Sequence, residues 1–161
     1  MYSKFAQAGL AEDVVFIGGG RLGFPDAALF AFALGCDMVS VAREAMISIG
    51  CIQAQRCHTG RCPSGVATQS RWLMHGLDAL LKSSHVASYI CALRAETLAL
   101  SRSCGEVHPA LVGPEHIEVV SERYSSASLT EVFGYHPGWP VMGAGRRAEI
   151  QSLINAPAAT G

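Results

Sequence analysis

Charge is scarce in this chain. Only 16% of its 161 residues are Asp, Glu, Lys or Arg, and the net charge is −1. No face can be strongly basic, which argues against a nucleic-acid or membrane-surface partner. No apolar run reaches the ~18–20 residues needed to cross a bilayer. The start, Met1-Tyr2-Ser3-Lys4-Phe5, lacks the basic, apolar, small-residue order of a secretory signal. Repeats and low-complexity tracts are absent, and no placed acid completes a catalytic triad around Ser64, Ser70 and His58. What is present is hydrophobic material, half of the residues, enough for the core of one domain. The expectation is a cytoplasmic protein.

The first fifty residues alternate. Val14-Val15-Phe16-Ile17 is a short apolar run ending at Gly18-Gly19-Gly20, as in a strand buried on both faces of a parallel sheet. Pro25-Asp26 opens a helix over Ala27–Leu34 that stops at Gly35. Asp37–Val41 reads as the next strand, and a helix follows from about Arg43 to Gly50. Strand, helix, strand, helix predicts parallel strands joined by a crossover.

Residues 51–70 break this rhythm and read as an irregular loop. From Ser84, taken as the cap, a helix runs to Gly105 with Val86, Ile90, Leu93, Thr97, Leu100 and Cys104 as its apolar stripe. Beyond it the signals weaken. Pro114–Val120 reads as a short helix or strand, and Leu129–Phe133 as a helical turn or two. Gly134–Gly145 reads as a loop containing Trp139, Arg146–Ile154 as a last helix, and the Ala/Pro/Gly tail as frayed.

The chemistry concentrates in Cys51-x5-Cys57-His58-Thr59-Gly60-Arg61-Cys62-Pro63. Six cysteines are many for a reducing compartment, where clustered thiols point to metal or redox chemistry before disulfides. Three thiolates within twelve residues can converge on one soft centre, and three ligands suit a three-iron cluster, one corner short of a cubane. Zinc held by the three cysteines and His58 is an alternative, although the paired spacing of structural zinc sites is missing. Free structural thiols are another. Cys36, Cys91 and Cys104 read as core residues. His75, His85, His108, His116 and His136 read as surface residues. Two weaker signals concern an anion. Gly18-Gly19-Gly20-Arg21 after the first strand offers open backbone and a cation to a phosphate. Ala42-Arg43 after the second opens a helix whose N-terminus favours anions. Glycine-rich turns without a ligand are common; the two loops together read as a barrel-type phosphate site, with a spacing expected not to fit the G-x-G-x-x-G of a dinucleotide fold.

Cys51-x5-Cys57-His58-Thr59-Gly60-Arg61-Cys62-Pro63-Ser64-Gly65-Val66-Ala67-Thr68-Gln69 closely resembles the central domain of glutamate synthase large subunits, whose pattern is C-x5-C-H-x-x-x-C-P-x-G-[IV]-A-T-Q. Gly19-Gly20-Arg21, Leu34-Gly35-Cys36-Asp37 and Val86-Ala87-Ser88-Tyr89 also resemble this family, so the likeness covers roughly residues 10–110. The resemblance implies a TIM (β/α)8 barrel that binds FMN beside a 3Fe-4S cluster and reductively converts 2-oxoglutarate and glutamine-derived ammonia into glutamate. It implies that Cys51, Cys57 and Cys62 hold the cluster, and that Gly19, Gly20, Arg21, Ala42 and Arg43 meet the FMN phosphate. Residues 1–50 would be the last two β/α units of the barrel, residues 51–70 the cluster loop, and residues 71–161 a mainly helical extension. A barrel takes about 250 residues, so the expectation is a fragment inactive alone, with open strand edges that invite oligomerisation or a complementing chain. The alternatives are a non-catalytic zinc-binding or oligomerisation module and a remnant without cofactors.

Overall fold

The computed structural model describes residues 1–120, 125–136 and 142–156. Helix α1 (Tyr2–Gln7) precedes strand β1 (Ile17–Gly19), helix α2 (Pro25–Ala33), strand β2 (Met38–Ser40) and helix α3 (Arg43–Ser48). β1 and β2 pair in parallel, with Ile17 opposite Met38, Gly18 opposite Val39 and Gly19 opposite Ser40. The parallel pair and its intervening helix follow the alternation read from the sequence. Pro25 in the first helical turn and Gly35 at φ +96° just beyond α2 bound that helix as expected.

Two features of the strands differ from expectation. β1 starts at Ile17, three residues later than Val14, because the Phe16 N–H donates to the Asp37 carboxylate (2.8 Å) and not to a backbone partner. The pair is also not buried on both faces. Gly18 lies against Cys36 and Leu22, and Val39 faces the helices, whereas Ile17 and Met38 on the other face are 63% and 51% exposed. Among the described residues, the two strands are covered by helices on one face and left largely open on the other.

After the loop come a short helix α4 (Arg71–Met74) and the long helix α5 (Ala79–Ser103). α5 begins one and a half turns before the expected Ser84. Its cap is Asp78, whose carboxylate accepts from the Leu80 and Leu81 N–H groups (3.0 and 3.1 Å). The Ser83 and Ser84 hydroxyls instead donate back to the Leu80 and Leu81 carbonyls, the usual behaviour of serine inside a helix. The covered stripe is also rotated. Ile90 is exposed, while Tyr89, Thr97 and Ser101 face inward. Thr97 and Ser101 satisfy their hydroxyls on the Leu93 and Leu98 carbonyls (2.6 and 2.9 Å), so α5 can press these small side chains against the alanine-rich α2 without orphaned polar groups.

The core joins the two ends of the chain. Leu29 and Ala33 of α2 pack with Val112 and Leu129, bordered by Phe30, Leu34, Leu100, Cys104 and Ile117. Leu129 opens helix α6 (Leu129–Phe133), started by a capping box between Ser128 and Glu131. Before it, strands β3 (Glu118–Val120) and β4 (Ser126–Ser128) form an antiparallel pair. Pro114–Val120, read as helix or strand, contains both, a 3-10 turn and then β3. The final helix α7 (Ala144–Asn155) starts two residues before the expected Arg146. Trp139 and the last residues of the tail, 157–161, lie outside the described residues. Helix α1 carried no sequence signal. It docks by aromatic contact, Tyr2 meeting Phe16 edge-on (5.4 Å) and stacking on Tyr135 (5.9 Å).

Candidate functional site

Parallel pairing has a direct consequence for the loops. With Gly19 and Ser40 in register, the segments that follow, Gly20-Arg21 and Val41-Ala42-Arg43, leave the same end of the sheet. Gly19, Gly20, Arg21, Ala42 and Arg43 are all exposed there. A Cβ added to Gly19 or Gly20 would meet nothing within 4 Å, so open backbone faces solvent in loops that also carry two exposed arginines. Gly20 (φ +114°) and Arg21 (φ +57°) are both left-handed, a conformation glycine adopts freely and arginine rarely. The helix-dipole argument for Arg43 does not carry over, since α3 has only six residues and too few aligned peptides to matter.

Gly18, Gly20 and Gly23 do stand at G-x-G-x-x-G spacing between β1 and α2, contrary to expectation, so spacing alone does not exclude the fingerprint. The structure argues against a dinucleotide fingerprint. α2 begins with Pro25, which has no N–H to offer, and Asp26 adds a negative charge in the first turn. An anion gains little at that terminus.

Behind the two loops, three elements meet at Gly23. The Tyr89 hydroxyl of α5 donates to the Gly23 carbonyl at 2.6 Å, across 66 residues of sequence. Burial, and after it the Glu44 carboxylate, holds the Tyr89 hydroxyl above its ordinary pKa, so it stays a proton donor. Glu44, the residue after Arg43, is itself buried. A Cβ on Gly23 would lie 2.6 Å from the Cβ and Cγ of Glu44, so no larger residue fits there.

The cysteine loop starts directly after α3. The Cys51 N–H donates to the Met46 carbonyl (3.0 Å), fixing this half-buried residue to the helix end. Residues 52–61 are all exposed, and Gln53 and Gln55 take left-handed φ values of 54° and 55°. Cys57 opens a 3-10 turn, Cys57–Thr59, and is exposed. Cys62 is buried, and its Sγ lies 3.4 Å from the Ser64 hydroxyl. The Ser64 hydroxyl, the backbone of Ala67 and, more weakly, the backbone N–H groups of Ser64 and Val66 outweigh burial and lower the Cys62 thiol to about 7. Thr68 Oγ1 donates to the Gly60 carbonyl and accepts from the Ser70 N–H (3.1 Å), tying the two halves of the loop. Gly65, at φ +78°, sits where a Cβ would be 2.5 Å from the Leu73 carbonyl oxygen.

The structure does not bring all the expected residues together. Among the described residues no three His, Cys, Asp or Glu side chains close on one centre, so Cys51, Cys57 and Cys62 share a loop but not a metal-sized cage. The donor chemistry fits a thiolate-bound group, since the loop carries three thiols and one ionises near neutrality. His58 and Arg61 are exposed, and Ser64 makes the contact to a thiol. Of the thiols read as core, Cys36 and Cys104 are half-buried and Cys91 is exposed. His116 is not a plain surface residue. Its Nδ1 accepts from the Gly113 N–H (3.0 Å) and its Nε2 lies 3.7 Å from Glu106. A cavity of about 730 Å³ lies apart from both loops, among α2, β2, α5 and α7. None of the residues expected to bind a cofactor or metal lines it.

Comparison with known proteins gives a consistent answer. A family profile described as "Conserved region in glutamate synthase" matches residues 2–106. The chain is 38% identical over 111 residues to the glutamate synthase large subunit-like protein YerD of Bacillus subtilis (strain 168), covering 69% of this chain and 21% of that protein. It is 32% identical over 102 residues to an archaeal glutamate synthase (NADPH) of Methanocaldococcus jannaschii, covering 63% and 20%. It is 46% identical over 70 residues to the chloroplastic ferredoxin-dependent glutamate synthase of Oryza sativa subsp. japonica, covering 42% and 4%. The chain thus spans about a fifth or less of the length of these relatives. No solved structure matches it.

Proposed function

The chain belongs to the glutamate synthase family, and from that premise we propose that it supplies the phosphate corner and the cluster loop of an FMN and iron–sulfur oxidoreductase. The observation that carries this reading is the parallel register of β1 and β2, with two cation-bearing loops at one end and the three-cysteine loop following α3. In this reading β1 to α3 are the last two units of a (β/α)8 barrel, whose phosphate sites belong at the carboxyl ends of the strands. All three non-glycine residues with positive φ among the described residues fall in these loops, Arg21 after β1 and Gln53 and Gln55 in the cysteine loop, where backbone strain tends to accompany function.

The groups themselves would supply hydride and single-electron chemistry when bound. This chain's residues would do the holding. Gly19 and Gly20 let the backbone approach a phosphate, and Arg21 and Arg43 offset its charge. Cys51, Cys57 and Cys62 would present thiolates, with the Ser64 hydroxyl oriented on the Cys62 sulfur. In the complete enzyme the reaction would be reductive amination of 2-oxoglutarate with glutamine-derived ammonia. The present chain would not perform it alone. The exposed face bearing Ile17 and Met38 favours a complementing polypeptide or a second copy covering the sheet.

The test is iron and labile-sulfide analysis with visible spectroscopy on protein purified without oxygen, for the parent and Cys57→Ser. Iron, sulfide and broad charge-transfer absorbance in the parent, lost in Cys57→Ser, is the expected result. Zinc without sulfide would instead establish a structural metal module. An unchanged spectrum in Cys57→Ser would remove that residue from the ligand set.

A further inference from the structure

Gly23 lies between the two loops assigned to a phosphate, and it is gripped from both sides. Below it is Glu44, so close that no Cβ fits between them. From α5 comes the Tyr89 hydroxyl, 2.6 Å from its carbonyl oxygen. Gly23 is two residues beyond Arg21, and Glu44 is the residue after Arg43, with Arg43 exposed and Glu44 turned inward. The contact therefore couples the two arginine-bearing segments to each other and both to a helix outside the strand–loop unit. The turn itself has little else beside it, since a Cβ added to Gly19 or Gly20 would meet nothing within 4 Å.

We propose that Tyr89 is a positioning residue: with Glu44 it clamps Gly23 and so fixes the Gly19–Arg21 turn relative to Arg43, the two segments read as meeting one phosphate. The inference rests on the phosphate reading of the two loops. The clamp itself has consequences that can be read without any ligand. Among the described residues the hydroxyl bonds to Gly23 alone, so Tyr89→Phe retains the ring and removes only the tie. Loss of one such hydrogen bond opens the turn about three- to tenfold more often.

The experiment compares the parent chain, Tyr89→Phe and Gly23→Ala, the last displacing Glu44 without touching Tyr89. Limited trypsin digestion reads cleavage after Arg21, with cleavage after the remote, exposed Arg102 as the control. Fluorescence titration reads FMN binding, with inorganic phosphate as competitor. Both variants should cleave about three- to tenfold faster after Arg21 and bind FMN weaker by a similar factor, with cleavage after Arg102 unchanged. Faster cleavage confined to Arg21, in a parent that binds neither FMN nor phosphate, would uphold the clamp and defeat the phosphate reading. Unchanged cleavage after Arg21 in both variants would overturn the clamp. Rates rising together at Arg21 and Arg102 would reduce Tyr89 to general stability and overturn it too. Equal FMN affinity in parent and variants, despite faster cleavage, would overturn the positioning role.

Discussion

Asp37 acts as a backbone substitute for Phe16. Its Oδ2 accepts the Phe16 N–H at 2.8 Å, while the Asp37 and Met38 N–H groups both donate to the Phe16 carbonyl (2.8 and 3.2 Å). Oδ1 of the same carboxylate pairs with Arg146 of α7 at 3.1 Å. One side chain thus sets where the parallel pair begins and fastens the last helix to it. Asp37→Ala should destabilise the chain by about 1–3 kcal/mol, the cost of leaving a part-buried amide unpartnered. Arg146→Ala should cost less than about 1 kcal/mol, because its half-exposed ion pair is screened by water. Urea midpoints of the two variants check the ranking. Equal losses would mean that the ion pair matters more than the strand contact.

The cap of α5 gives a second test. Asp78→Ala should cost about 0.5–2 kcal/mol and unwind the first turn, because the Leu80 and Leu81 N–H groups lose their acceptor. Ser84→Ala should be nearly neutral. Helicity by circular dichroism, with hydrogen exchange over residues 79–83, separates the two positions. Both Asp78 and Ser84 are good cap residues by type. Which one caps depends on where the chain leaves α4, and that is a tertiary matter.

Leu129 is fully buried among Leu29, Ala33 and Val112. Leu129→Ala should cost about 2–5 kcal/mol through the lost burial and the cavity left behind. Because Leu129 joins α6 to α2, the loss should appear as one cooperative transition of lowered midpoint. Separate melting of the first fifty residues and the remainder would show that the two ends do not share this core.

Tyr135 governs the alkaline limit. Burial first, then Tyr2 and Cys36, pushes its hydroxyl up to about 12, and it donates to the Leu34 carbonyl at 2.7 Å. Between its ordinary value of 10 and about 12 the folded chain keeps a proton that the unfolded chain has lost. Stability therefore falls as pH rises through that window, and the contribution is intact below it. Tyr135→Phe should lose about 1 kcal/mol at neutral pH for the missing hydrogen bond, and its stability should decline less steeply above pH 10. Tyr2 and Tyr89, both also raised, leave a residual slope. Parallel curves for parent and variant would show that Tyr135 does not titrate with unfolding.

The sequence by itself determined the order of the first elements, because Pro25, Gly35 and Gly50 punctuate them and short apolar runs lie between. It also determined the family, through residues 51–69, because closely spaced cysteines with a Cys-Pro turn are chemically too particular to arise from packing alone. Local signals of that kind survive in one dimension. Only the tertiary structure decided which residues meet. The register that brings Arg21 and Arg43 to one end, the clamp of Tyr89 and Glu44 on Gly23, and the choice of Ser64 over His58 as the neighbour of a thiol all depend on contacts between segments apart in sequence or on the path of an irregular loop. Composition and periodicity carry no record of those. The inward face of α5 shows the same limit. Thr97 and Ser101 are buried because α2 presents alanines to them, and a hydroxyl satisfied by its own helix costs little to bury.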